Sequence, residues 1–262
     1  MLKIENIHKT FFPGSVNEKR ALQGVSLTLN DGDFATVIGS NGAGKSTLLN
    51  AIAGAFPIDQ GRISIDGVDV SHMPEYERAK YIGRVFQDPM KGTAGKMMIE
   101  ENLALASWRG RRLGLNWSFK AERTAQFKEA LKELDLGLED RMSAHVGLLS
   151  GGQRQAVTLL MATLVKPKLL LLDEHTAALD PKTAEKVLRL TERLVNADRL
   201  TTLMITHNMR DALRFGNRLI MMHQGRIVVD VKAEEKANLT VPDLLGLFEK
   251  GAGVVTDEML LS

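Results

Sequence analysis

The chain contains no cysteine. Disulfides and thiolate metal sites are therefore excluded, and the composition fits a reducing compartment. Charge of one sign is also scarce: 34 Lys and Arg against 32 Asp and Glu leave +2 at pH 7. That balance argues against a nucleic-acid partner, which calls for a strong basic patch. Long apolar runs are missing too. The most apolar stretch, Ala156 to Val165, carries two threonines and falls short of the roughly 20 residues of a bilayer span. Met1-Leu2-Lys3-Ile4-Glu5 has no apolar signal core. No internal repeat or low-complexity linker appears. What is there is 262 residues, 44% hydrophobic and 25% charged, enough for one domain with a sizeable core.

Apolar periodicity organises the chain. Leu2-Lys3-Ile4, Val25 to Leu29 and Ile63-Ser64-Ile65 alternate as half-buried strands. Phe34 to Ile38 is nearly unbroken, as in a strand buried on both faces. Gly39 ends it, and a helical run from Thr47 to Ala53 follows. Leu169 to Leu172 and Leu203 to Ile205 predict further buried strands. Leu219 to Met222 and Ile227 to Val229 flank a hairpin turn, His223-Gln224-Gly225-Arg226. From Ile99 to Leu136 the pattern is helical, with Phe127, Ala130, Leu131 and Leu134 at helix spacing. Trp108 to Trp117, with Arg109, Arg111 and Arg112, interrupts it as a solvated loop or a partner surface. The tail holds one amphipathic segment, Val241 to Phe248. The pattern predicts a mainly parallel sheet with a helical insertion from roughly Asp88 to Leu148.

Three segments carry chemistry. Gly39-Ser40-Asn41-Gly42-Ala43-Gly44-Lys45-Ser46 matches the phosphate-loop pattern in full, between a strand and a helix. Its glycines let backbone N–H groups surround phosphate oxygens, and the following helix offers its N-terminus to the same anion. Lys45 then reaches the β- and γ-phosphates, and Ser46 binds Mg²⁺. Leu169 to Asp173-Glu174 is an apolar strand ending in two carboxylates. Asp173 suits Mg²⁺, through water, and Glu174 suits polarisation of the attacking water. Ser150-Gly151-Gly152-Gln153 reads as a capping box. Its glycines cost about 1 kcal/mol each against alanine, and they suit close approach of an anion; the two roles are compatible. Asp180-Pro181 starts another helix as N-cap and N1.

Other positions stay open on the residues alone. His207 ends an apolar strand at the sheet edge of Glu174, where a γ-phosphate contact is within reach. Gln87 follows a strand end and, without context, is a loop glutamine. Phe11 offers an adenine-stacking face or a buried aromatic, equally.

Taken in order, GSNGAGKST (including Thr47), Gln87, LSGGQRQ, LLLLDE, Ala178-Leu179-Asp180 and His207 resemble the ATPase subunit of an ABC transporter. The resemblance covers essentially Leu2 to Asp230. It implies an α/β P-loop NTPase fold of the ABC ATPase type: a mainly parallel core sheet, an N-terminal antiparallel β-subdomain and an inserted helical subdomain. The core would span about 1–88 and 163–230, the helical subdomain about 89–162, and the tail 231–262. It implies ATP and Mg²⁺, with Ser46, Gln87 and Asp173 around the metal, and Lys45, Glu174 and His207 as catalytic residues. The nucleotide set is Phe11, with Phe12 adjacent, the phosphate loop through Thr47, Gln87, Ser150 to Gln153 and Asp180. It implies a head-to-tail pair, two identical chains in the simplest case, with Ser150 to Gln153 of one copy covering the ATP held by Lys45 of the other. Transmembrane permease subunits and a solute-binding protein are implied partners, with attachment at the cytoplasmic side of the membrane. The related alternatives are an exporter or cell-division ATPase, or an ABC ATPase acting on DNA or ribosomes; coiled coils and a second cassette, expected for the latter, are absent from the sequence. One departure stands out: Asp173-Glu174-His175-Thr176 replaces the usual Asp-Glu-Pro-Thr. His175 either tunes the neighbouring carboxylate or lines the loop, the second being preferred. DEHTAALDP resembles bacterial importer ATPases grouped with amino-acid or other small-solute binding proteins.

Overall fold

A computed structural model describes residues 1–111 and 121–252. The chain opens with β1 (Leu2–Phe11), β2 (Lys19–Leu29), β3 (Phe34–Ile38), α1 (Lys45–Ala53), β4 (Gln60–Ile65) and β5 (Val68–Asp69). Then come α2 (Glu75–Arg78), β6 (Ile82–Val85), α3 (Ile99–Ser107), α4 (Ala121–Lys132) and α5 (Gly151–Thr163). The remainder is β7 (Leu169–Asp173), α6 (Pro181–Asp198), β8 (Thr202–Ile205), α7 (Met209–Arg214), β9 (Arg218–His223), β10 (Arg226–Lys232), α8 (Ala233–Ala237) and α9 (Val241–Ala252).

Two sheets form. The smaller is ordered β2-β1-β4-β5 and its pairings are antiparallel. The larger is ordered β10-β9-β3-β8-β7-β6, parallel throughout except for the β9–β10 hairpin. Strand β7 shows why its sequence has no polar interruption. Leu169 and Leu171 face a core shared with β1, β4 and α1, while Leu170 and Leu172 face a second core built with α3, α4, α5 and α6. Both faces of the strand are covered, so alternation has nothing to distinguish.

The sequence pattern locates the elements but shortens some. Strand β2 begins at Lys19, six residues before the alternation is visible, because Ala21 and Leu22 are both buried and register shifts against β1 break the period there. The tail is drawn into the body. Leu244 and Phe248 of α9 join Met209, Leu219 and Met221 in a third apolar cluster. Near the helical interruption, Arg109 is half-buried and its Nη1 donates to the Ala162 carbonyl at 2.7 Å. That residue is therefore not part of a solvated loop; the rest of the interruption, from Arg112 to Trp117, lies outside the described residues. Among the described residues no helix is long and apolar enough to cross a membrane.

Candidate functional site

Sheet register sets the site. Ile205 of β8 pairs with Val37 of β3 on one side and with Asp173 of β7 on the other. The three strands therefore end at one level, and the phosphate loop, Asp173-Glu174 and His207 emerge side by side from their carboxyl ends. This is the edge at which open α/β sheets bind ligands.

The loop itself admits little variation. Gly39 has φ 151°, and a Cβ there would collide with the Met222 carbonyl oxygen. Gly44, with φ 101°, caps α1, and a Cβ there would lie 2.6 Å from the Ala21 carbonyl oxygen. Lys45 is buried beneath the loop, its Nζ donating to the carbonyls of Gly39 at 2.6 Å and Ser40 at 3.2 Å. Burial lowers its pKa, and the carboxylates of Glu174 and Asp173 oppose that shift. Residues 41–47, Glu174, Lys19 and Ala21 enclose a cavity of about 170 Å³.

Glu174 sits in the left-handed region with φ 43°, a conformation that costs a residue of its type roughly 1–3 kcal/mol. Backbone bonds hold it there: its N–H donates to Ile205 at 3.1 Å and its carbonyl accepts from Ala177 at 3.0 Å. The result turns its side chain to the phosphate cavity. His207 Nδ1 lies 3.9 Å from Glu174 Oε2. Asp173 faces a separate cleft of about 570 Å³, shared with Gln87, Asn50 and Lys91. Desolvation raises the pKa of Asp173; the nearby Arg84 guanidinium counters this, and Glu174 adds to it.

Arg84 was not singled out in the sequence. Its Nη2 donates to Asn50 Oδ1 at 2.5 Å and lies 3.7 Å from Asp173 Oδ2, and its guanidinium covers the Phe86 ring at 4.5 Å. The available signal was a charge inside the otherwise apolar run Ile82 to Val85. Lys19 was missed as well, since a lone lysine at a strand end carries no local signal.

The segment Ser150 to Gln153 forms its capping box, with Ser150 N–H donating to Gln153 Oε1 at 3.2 Å and Gln153 N–H to Ser150 Oγ at 3.3 Å. Gly152 has a packing reason: a Cβ there would collide with Thr183 Cγ2 on α6. Packing against α6 is thus a further reason for glycine here, beside the anion approach expected from the sequence. Gly151 is exposed, with Leu179 Cδ2 at 3.3 Å from its Cβ position. Asp180 caps α6 by accepting from Thr183 N–H at 3.1 Å. Ser150, Gly152 and Gln153 line a cleft with Thr183 and Arg193 that is distinct from the phosphate cavity. One fold thus brings together the phosphate loop, Glu174 and His207, and leaves Ser150 to Gln153 elsewhere. Phe11 is half-buried, its ring edge-on to Phe56 at 5.2 Å, whereas Phe12 is 68% exposed.

Comparison with known proteins shows the family. The ABC transporter family matches residues 22–177. A tyrosine transport ATP-binding protein of Clostridioides difficile (strain R20291) is 45% identical over 250 residues, covering 95% of this chain and 99% of that protein. The energy-coupling factor transporter ATP-binding protein EcfA2 of Clostridium acetobutylicum is 32% identical, covering 95% of this chain and 88% of that one. Among solved structures, the ATP-binding cassette MJ0796, in a dimeric post-hydrolysis state bound to ADP and Pi, has a TM-score of 0.75. It is 31% identical over 88% of this chain and 98% of that one. The chain belongs to the ABC transporter family and is an ATP-binding, ATP-hydrolysing subunit of a transporter.

Proposed function

We propose that two copies of this chain bind ATP head-to-tail and use its hydrolysis to power uptake of a small solute, such as an amino acid, through separate permease subunits. The observation that carries the pairing is the separation of the two glycine motifs. Within one chain the phosphate loop and Ser150 to Gln153 line different cavities. A second chain supplies the missing half. ATP then favours the closed pair because its γ-phosphate has partners on both chains only in that state.

The roles follow from position. Lys45 and the loop amides hold the phosphates, and the Phe11 ring stacks on the base. Asp173 and Gln87 line one cleft, and Ser46 lines the phosphate cavity with Glu174, the residue after Asp173; the side-chain oxygens of the three would suit Mg²⁺. The ion, when bound, neutralises phosphate charge. Glu174 accepts the proton of the attacking water, and His207, 3.9 Å away, lies where it can contact the γ-phosphate. Gln87 shares its cleft with Asp173 and leads into the helical region, which supports a role linking nucleotide and permease. Uptake of an amino acid, with a solute-binding protein as a further partner at the membrane, rests on the 45% identity to the tyrosine transport protein.

Glu174→Gln tests the reading. Hydrolysis is expected to slow by roughly 10²–10⁴-fold with ATP binding retained and an ATP-bound dimer accumulating on size-exclusion chromatography. Near-normal turnover overturns the role of Glu174. Stimulation of ATPase activity by an amino-acid-loaded binding protein, in membranes holding the permease, tests the importer assignment; stimulation by export cargo alone overturns it.

A further inference from the structure

Strand β2 of the antiparallel sheet crosses directly over the phosphate loop. The Ala21 carbonyl oxygen is 2.6 Å from the Cβ position of Gly44 and 2.7 Å from that of Gly225. This contact fixes the strand against the loop. Two residues earlier, beyond a register shift against β1 at Ala21, Lys19 lines the phosphate cavity together with Ala21, residues 41–47 and Glu174. Its Nζ lies 3.9 Å from the Cβ position of Gly42.

The ammonium has no competing assignment. The adjacent acid, Glu18, is engaged by the Gly14 N–H at 2.8 Å and by Arg20 at 3.4 Å. Lys19 makes no ion pair among the described residues. Across the sheet it pairs in register with Phe11. The cavity therefore has one lysine in its floor, tied to the Gly39 and Ser40 carbonyls, and a second on its rim, beside an aromatic residue.

We propose that Lys19 is a nucleotide-binding residue that pairs with phosphate oxygens from outside the loop, so that the N-terminal sheet takes part in selecting polyphosphate nucleotides. This rests on the reading of residues 39–47 as the phosphate site. Lys45 lies below the loop and Lys19 above it, so the triphosphate is flanked by cations on both sides. An exposed ammonium at this range acts through solvent, and its contribution falls with salt.

The test is displacement of a fluorescent ATP analogue from the full chain by ATP, ADP and adenosine, for wild type, Lys19→Ala, Lys19→Arg and Lys45→Ala. Lys19→Ala is expected to weaken ATP and ADP by about 5- to 30-fold at low salt, leave adenosine unchanged, and approach wild type at 1 M salt as screening shortens to about 3 Å. Lys19→Arg is expected to restore binding. Equal affinity of Lys19→Ala and wild type for ATP at low salt overturns the proposal, as does an equal loss for adenosine. Lys45→Ala separates the two readings: if it too leaves ATP affinity unchanged, the phosphate-site assignment itself fails.

Discussion

At the scale of the residue, His175 is where this chain departs most from the pattern it resembles. Its ring turns away from the carboxylates. It is buried, and its Nε2 lies 3.0 Å from Thr191 Oγ1 on α6. The Thr191 hydroxyl donates to the Val187 carbonyl at 2.9 Å, so the imidazole donates from Nε2. Burial lowers its pKa from 6.5 to about 4. The unfolded chain takes up this proton below its ordinary pKa, the folded chain only below about 4. Between those values the unfolded state binds more protons, so stability falls as pH drops through that window. His175→Leu removes the titration while leaving Thr191 its own bond. The stability difference between wild type and this variant is expected to move by about 2–3 kcal/mol against wild type from pH 7.5 to 4.5, read from urea unfolding; a constant difference overturns it. The DEHT sequence showed the departure but not its direction, because side-chain orientation after a strand end depends on what packs beneath it.

At the scale of the element, α1 shows how a helix carrying the phosphate site is anchored at its other end. Arg78 of α2 is fully buried and donates to Ala51 and Ile52 at 2.8 Å each, to Met73 at 2.7 Å and to Ser71 at 3.1 Å, all backbone carbonyls. It satisfies the Ile52 carbonyl, gives the Ala51 carbonyl a second donor beside the Gly54 N–H at 3.3 Å, and adds positive charge at the negative end of the helix dipole. Arg78→Ala is expected to cost roughly 3 kcal/mol, since it leaves several buried acceptors unpaired. A loss under 1 kcal/mol in denaturant unfolding contradicts this anchoring. A one-turn helix with a single arginine gave no sign of such a role. The start of α5 offers the complementary lesson. Its cap was legible because a Ser-x-x-Gln box is local, whereas the reason for Gly152 lies on α6 and belongs to packing.

At the scale of the whole molecule, the separation of Ser150 to Gln153 from the phosphate cavity makes the pair the functional unit in our proposal. Ser150→Arg places a long cation at the exposed start of α5. In a Glu174→Gln background it is expected to abolish the ATP-dependent dimer in light scattering while leaving ATP affinity of the monomer within about twofold. A persisting dimer would falsify the shared site.

The sequence by itself determined a mainly parallel sheet, the order of the strands along the chain, and the placing of the glycine loop, the Asp173-Glu174 pair and the Ser150 to Gln153 cap. Those are set by local pattern: apolar period, glycine spacing and capping chemistry. Only the tertiary structure decided which of them meet. The common level of Val37, Ile205 and Asp173 comes from pairing among strands distant in sequence. The same holds for Lys19 over the loop, Arg84 beside Asp173 and His175 beneath α6. Their partners lie far along the chain, and no local signal encodes a contact that exists only after the layers have closed on one another.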